Sequence, residues 1–116
     1  MLTFKLNAAA GFHAHGSVAV DIKTDGYTMT VTVAGVTPKT VHRINMHGGT
    51  CASQETTPST LQHLGYATAD AKGTFTYTTT RQYPYSIPST GLILTVHGDY
   101  KTDGDLGHIA CAEMTR

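Results

Sequence analysis

Short stretches of alternating apolar and polar residues recur along the whole chain and predict β-strands. The alternation predicts strands at 16–22, 27–35, 41–47, 63–70, 74–80, 91–100 and 108–114. Between them lie stretches rich in turn-forming residues, including 48–60, 81–90 and 101–107. Seven or eight short strands with turn signals at this spacing predict a β-sandwich or a flattened barrel.

Composition supports an all-β protein of one domain. Threonine is very abundant, valine and tyrosine are frequent, and long runs of helix-favouring residues are nearly absent. A chain of 116 residues suits a single hydrophobic core, so we expect one domain over residues 1–116. Residues 1–14 suggest a flexible arm ahead of the first clear strand. His13 and His15 alternate there and either clamp a metal ion or belong to this arm, and we favour the arm.

The balance of charge excludes several kinds of partner. Eight basic residues face eight acidic ones, and no basic stripe is present, so nucleic acid is not an expected partner. The longest apolar stretches are too short to cross a bilayer, so we expect no membrane insertion.

No nucleophile elbow or phosphate loop occurs in the chain, and Asp103 and Asp105 fit turn formation better than a calcium loop.

The chain has two cysteines, Cys51 in a long polar loop and Cys111 in the last predicted strand. Such a pair fits a single structural disulfide, which is typical of an extracytoplasmic protein: periplasmic, secreted or on the cell surface. Two free thiols or two metal ligands are the alternatives. Neither cysteine belongs to a CxxC pair, which disfavours a zinc knot.

Seven histidines are the second unusual feature of the sequence. His47 and His97 each end a predicted strand and lead into a Gly-containing loop. Alternation within the strands places Ile44 and Met46 in the core, and His47 with Asn45 on the opposite face. His97 falls on the outer face of its own strand by the same argument. We therefore expect both imidazoles to project outward and to meet at one end of a sheet, where they could bind copper or zinc.

In order and spacing, several motifs resemble the copper/zinc superoxide dismutase family. The opening GSVAVDIKTDGYTMTVTVAGVTPKT is similar to that family's first strands, and VHRINMHGGTC to the strand that carries its copper histidine pair and loop cysteine. HLGYATADAKGTF, LTVHGDYKTDGDLG and HIACAEM resemble its later segments. The resemblance covers residues 15–114 and implies a Greek-key β-sandwich of about eight antiparallel strands with a Cys51–Cys111 disulfide.

Residue by residue, the resemblance implies an incomplete metal centre. His47 and His97 match two copper histidines, whereas Asn45 stands where the family has another. The zinc loop is too short, with His63 near the position of the family's zinc aspartate. His108 replaces the arginine that guides superoxide. The remaining candidate ligands for copper or zinc are His47, His97, His63 and His108, while His42 has a structural counterpart inside the barrel.

Three functions follow from this reading of the sequence. The first is a superoxide dismutase-like domain without efficient dismutase activity that binds copper or zinc through its residual histidines. The second is a metal-free structural or interaction module of a secreted or cell-surface protein, which leaves a homodimer or attachment to a larger surface protein open. The third is a copper-only superoxide dismutase, which requires that Asn45 be tolerated at the copper.

Overall fold

Eight antiparallel strands form one nearly closed sheet that is flattened around a single core. The computed structural model describes residues 1–52, 62–82, 91–99 and 108–114. The strands are β1 (Leu2–Ala8), β2 (His15–Ile22), β3 (Tyr27–Ala34), β4 (Val41–Gly48), β5 (Gln62–Thr68), β6 (Phe75–Arg81), β7 (Leu92–Asp99) and β8 (His108–Glu113). The all-β fold expected from the sequence is thereby confirmed. Most of the predicted loops 48–60, 81–90 and 101–107 lie outside the described residues.

The strand order around the sheet is β5-β4-β7-β8-β1-β2-β3-β6. β3 lies beside β6 and β4 beside β7, so the connections after β3 and β6 cross from one half of the sandwich to the other, which is the Greek-key arrangement. The two ends of the sheet approach each other where the Tyr77 hydroxyl of β6 donates to the Leu64 carbonyl of β5 over 2.6 Å. Arg81 donates to the same carbonyl over 2.9 Å.

The first strand occupies residues that the sequence suggested as an arm. β1 pairs with β2 along Leu2–Leu6 and with β8 at Asn7 and Ala8. Alternation turns Leu2, Phe4 and Leu6 toward the core, and Leu6 is fully buried. His15 begins β2, and its Nδ1 lies 2.8 Å from the His13 carbonyl oxygen. The suggested arm therefore contains a strand of the sheet.

The core lies between the two four-stranded halves and consists almost entirely of aliphatic side chains. Every second residue of the central strands contributes to it, as alternation requires. The fully buried members include Val18, Val20, Met29, Val31, Val33, Ile44, Leu94 and Val96. Their burial fixes which residues of β4 and β7 face away from the core, and those outward positions hold the candidate site.

A disulfide joins Cys51 to Cys111, as expected from the two cysteines. It connects the segment after β4 to the middle of β8, across 60 positions of the chain. The Cys51 backbone N–H also donates to a Glu113 carboxylate oxygen over 3.0 Å. Two interactions therefore fix the chain that leaves β4 against the last strand.

Candidate metal centre

The candidate site lies on the outer face of the half-sandwich formed by β5, β4, β7 and β8. In β4 the residues Arg43, Asn45 and His47 alternate with the buried Ile44 and Met46. Strand pairing then sets the neighbours: Asn45 lies opposite Thr95 of β7 on one side and opposite His63 of β5 on the other. On the far side of β7, His97 is opposite His108 of β8. The four histidines selected from the sequence therefore belong to one face of four adjacent strands.

His47 and His97 approach each other, although not at one end of the sheet as the sequence suggested. β4 and β7 are antiparallel, so their C-terminal ends lie at opposite ends of the pair, and His47 is opposite Ile93 rather than His97. The two rings instead converge over the middle of the strand pair. Their centroids are 6.3 Å apart and their planes are inclined by 41°. The predicted meeting point was wrong because the prediction did not take the antiparallel direction of β4 and β7 into account.

The His47 ring has the electrostatic character of a neutral ligand. Burial lowers the pKa of His47 below its usual 6.5, and the nearby His108 lowers it further. Its Nε2 atom is buried and, in the part of the chain that the structure describes, has no hydrogen-bond partner. A buried polar atom without a partner costs free energy, so this nitrogen is suited to a further ligand. It is the feature of the site that best fits a bound metal ion.

Asn45 connects two of the candidate histidines. Its side chain is only 3% exposed. The Nδ1–H of His63 donates to the Asn45 Oδ1 over 3.0 Å, and the Asn45 Nδ2–H donates to the His97 Nε2 over 3.2 Å. The Thr95 hydroxyl also lies 3.1 Å from that nitrogen of His97. The lone pair with which His97 Nε2 could bind a metal is therefore engaged by the Asn45 amide.

His63 and His108 flank the central pair rather than enclosing it. The His63 ring is exposed and makes an edge contact with Tyr66, with centroids 5.3 Å apart. The Arg43 guanidinium lies over the Tyr66 ring, 5.9 Å from the ring centre. His108 influences the His47 pKa and faces His97 across the β7–β8 ladder. Neither residue completes a ligand shell around His47 and His97 as the side chains stand.

His42 has a structural position inside the barrel end. It is 3% exposed and stacks on Phe75, with ring centroids 5.8 Å apart. Its Nδ1–H donates to the His97 carbonyl over 2.7 Å, and its Nε2 lies 2.6 Å from the Thr40 hydroxyl. His42 thereby fixes the backbone of His97 from within the core.

Sequence reasoning missed the roles of Asn45 and Thr95 as hydrogen-bond partners. Both are buried although they point away from the barrel interior. The signal available was their position: alternation places Asn45 on the same face as His47, and Thr95 on the same face as His97. Neither strand pattern reveals which residues pair across β4, β5 and β7, so the network could not be derived.

Two negative findings apply to the described ranges. Among those residues, no group of three or more His, Cys, Asp or Glu side chains is arranged to hold a metal ion. Nor do they include a helix with the length and apolar character required to cross a membrane. The first finding limits the candidate centre to two imidazoles in its present conformation.

Compared with known proteins, the chain matches no protein-family model and no curated protein at a significant level.

Proposed function

We propose that this chain is a superoxide dismutase-like β-sandwich domain that binds one copper or zinc ion weakly, without efficient dismutation. The observation that carries the proposal is the pair His47 and His97, with a buried His47 Nε2 facing no hydrogen-bond partner among the described residues. The Greek-key strand order and the Cys51–Cys111 disulfide support it, because the motif resemblance implies both. The disulfide further supports an extracytoplasmic location.

The separation of the two rings is at the limit for a shared ion. Imidazole nitrogens bind copper or zinc at about 2.0 Å, so two rings on opposite sides of one ion have centres about 6 Å apart. The observed separation is 6.3 Å. Because His97 Nε2 is directed at Asn45 and Thr95, the side chains must also rotate before His47 and His97 can hold an ion between β4 and β7.

Asn45 is the reason to expect weak binding. An ion at the His97 Nε2 must displace the Asn45 amide and disturb the Thr95 hydroxyl. Each such hydrogen bond contributes about 0.5–1.5 kcal/mol, and the amide oxygen is a poor substitute for a third imidazole at copper. His63 and His108 could bind the same ion only after their side chains rearrange.

The same replacement argues against efficient dismutation. By the resemblance, a dismutase needs a redox-active copper with its full set of imidazoles and a cation that attracts superoxide. Here Asn45 replaces one imidazole and His108 replaces the guiding arginine. The copper supplies one-electron redox chemistry when bound. The contribution of this chain would be limited to holding the ion and shielding one side of it.

Titration of the disulfide-bonded protein with zinc or copper salts, followed by calorimetry, tests the proposal. We expect one equivalent to bind with micromolar affinity, and His47→Ala and His97→Ala each to abolish that binding. His13→Ala is the matched control, because His13 is exposed and lies outside the β5-β4-β7-β8 face. Binding that persists in both His47→Ala and His97→Ala, or that is lost in His13→Ala, would contradict the proposed site.

A metal-free structural or interaction module is the second candidate, and the Asn45 network specifically favours it. His63, Asn45 and His97 satisfy one another's hydrogen bonds without a metal. Absence of saturable binding in the same titration would support this module, whose partner would then be a second copy or a larger surface protein. A superoxide assay of the copper-loaded protein separates both from a copper-only dismutase, for which activity must exceed that of free copper.

A further inference from the structure

A cavity lies at one end of the sandwich, beside the buried side chain of His42. The connection between β1 and β2 (residues 9–14), the connection between β3 and β4 (residues 35–40) and the end of β7 contribute most of its walls. Its volume of about 360 Å³ is within the range of small-molecule sites in proteins. Among the described residues that line it, none is one of the four candidate metal ligands. The cavity is therefore separate from the proposed metal centre.

The cavity contains a buried carboxylate, that of Asp99 at the end of β7. Asp99 is 9% exposed, and its Oδ1 accepts the backbone N–H of Val41 over 2.9 Å. This hydrogen bond fixes the carboxylate against the start of β4. A carboxylate can accept several hydrogen bonds at once, and donors that carry a positive charge form the strongest of them. Asp99 is therefore suited to anchor a cationic group.

The other walls add no competing cation of the lysine or arginine type. Val36 and Ile109 contribute apolar side chains, and the described lining includes neither lysine nor arginine. His13 and His42 are the titratable side chains that share this lining with Asp99. Both ring nitrogens of His42 already have hydrogen-bond partners. The charge and the apolar walls together favour a ligand that has both a positive group and an apolar body.

A half-exposed aromatic ring supplies a second contact for such a ligand. Phe12 lines the cavity and is 49% exposed. Its backbone N–H donates to the Ala9 carbonyl over 3.0 Å, and Gly11, which precedes it, has a φ of 85°, a conformation that favours glycine. This turn holds Phe12 beside the cavity. The face of an aromatic ring attracts cations, and the ring also packs against apolar groups.

Close backbone contacts hold the two connecting segments in place. Gly35 lies so close to the His13 carbonyl that no Cβ atom would fit between them. The His15 Nδ1–H donates to the same carbonyl over 2.8 Å, and the Thr40 hydroxyl donates to the Thr37 carbonyl over 2.6 Å. The cavity is thus formed before any ligand enters, which lowers the cost of ordering on binding.

We propose that this cavity binds a small organic ammonium ion. The ammonium group donates to the Asp99 carboxylate, and the apolar body of the ligand packs against Phe12, Val36 and Ile109. A neutral molecule of the same shape lacks the charge-assisted hydrogen bond, and Asp99 repels an anion. This activity does not depend on metal binding, because the two sites share no ligating side chain.

Titration of the metal-free, disulfide-bonded protein with benzylamine, followed by amide NMR spectra at neutral pH, tests the inference. Benzylamine is an ammonium ion under these conditions and carries one aromatic ring. We expect saturable shifts that are largest at the amides of Phe12, Thr37 and Gly98. Benzyl alcohol has a similar shape without the charge, and it should bind about tenfold more weakly, as expected for the loss of a charge-assisted hydrogen bond.

Two variants test the two contacts separately. Asp99→Asn removes the charge but keeps an oxygen that can accept from Val41, and it should weaken benzylamine binding about tenfold. Asp25→Asn is its matched control, because Asp25 is exposed in the β2–β3 turn and lies outside the cavity lining. Phe12→Ala should weaken binding about two- to fivefold, whereas Ile22→Ala, which also shortens an exposed apolar side chain, should not.

The outcomes are distinguishable from failure to fold. Far-UV circular dichroism establishes the fold of each variant, and the comparison of benzylamine with benzyl alcohol requires no variant. Weaker binding in Asp99→Asn and Phe12→Ala, with wild-type affinity in both controls, supports the proposal. Absence of saturable shifts in the wild type, equal affinity for benzyl alcohol, unchanged affinity in folded Asp99→Asn, or an equal loss in Asp25→Asn overturns it.

Discussion

Replacing both Cys51 and Cys111 with alanine removes the covalent link between the end of β4 and β8. The disulfide closes a loop of 60 positions, for which the chain-entropy relation gives about 4 kcal/mol of stabilisation at 25 °C. Local packing should change little, because each substitution removes one sulfur atom and keeps the Cβ atom in place. A domain of this size is stable by about 5–15 kcal/mol, so the loss is a large fraction of the total.

Urea unfolding followed by far-UV circular dichroism measures this loss. We expect the midpoint of the double variant to fall far below that of the oxidised wild type. Reduced wild type is the control, because it retains both sulfur atoms but lacks the bond, and it should unfold near the double variant. The slope of the unfolding free energy against urea concentration must also be compared between the double variant and the oxidised wild type, since a disulfide constrains the unfolded chain.

A difference below about 1 kcal/mol would refute this reasoning, since it would mean that the bond restricts the unfolded chain far less than the loop length requires. The expected result has a consequence for location. A protein that loses about 4 kcal/mol on reduction is far less stable in a reducing compartment, which would agree with extracytoplasmic residence.

Three further changes test separate parts of the structure. Gly65→Ala should destabilise the protein by about 1–3 kcal/mol in urea unfolding, because the new Cβ would lie 2.5 Å from the Tyr77 hydroxyl. The loss of stability should be smaller when Gly65→Ala is made in a Tyr77→Phe background. An equal loss in that background would contradict the structure. Hydrogen bonds from the Thr74 side chain and from the Thr74 and Lys72 backbone lower the pKa of Asp70 below 3.8. An NMR titration of Asp70 should therefore give a midpoint below that value. The ionised Asp70 stabilises the fold at pH values above its usual pKa, and this stabilisation is lost as the pH falls through the lower pKa of the folded protein. A midpoint at or above 3.8 would be inconsistent with these bonds. Asn45→His should raise copper affinity at least tenfold, or about 1.4 kcal/mol, whereas an unchanged affinity would count against a centre at this position.

The positions of the strands could be predicted largely from period-two alternation, with one exception. β2, β3, β4, β6, β7 and β8 begin and end within one residue of the predicted bounds, and β5 ends two residues earlier than predicted. β1 was missed even though Leu2, Phe4 and Leu6 alternate with polar residues, because the first clear strand was placed only after residue 14. Its place becomes clear only from tertiary pairing, since β1 closes the sheet between β2 and β8.

The candidate site could be predicted only as far as the faces of single strands. Alternation correctly set His47 and His97 on the outside and His42 on the inside. It could not supply register, which depends on bulges such as the one between Ile44 and Asn45 in the β4–β5 pair. Register is what brings His63 opposite Asn45, so the amide network had no signal in the sequence of any one strand.

The hydrogen-bond network at Asn45 links the exposed ring of His63 to the half-buried ring of His97. The Asn45 amide accepts from His63 and donates to His97, and so it fixes the proton on His63 Nδ1 and keeps His97 Nε2 unprotonated. Because this donation engages the His97 Nε2, we expect Asn45 to weaken binding at the proposed metal centre. On this argument, the residue that most weakens the proposed metal centre is also the one that holds its side chains in place.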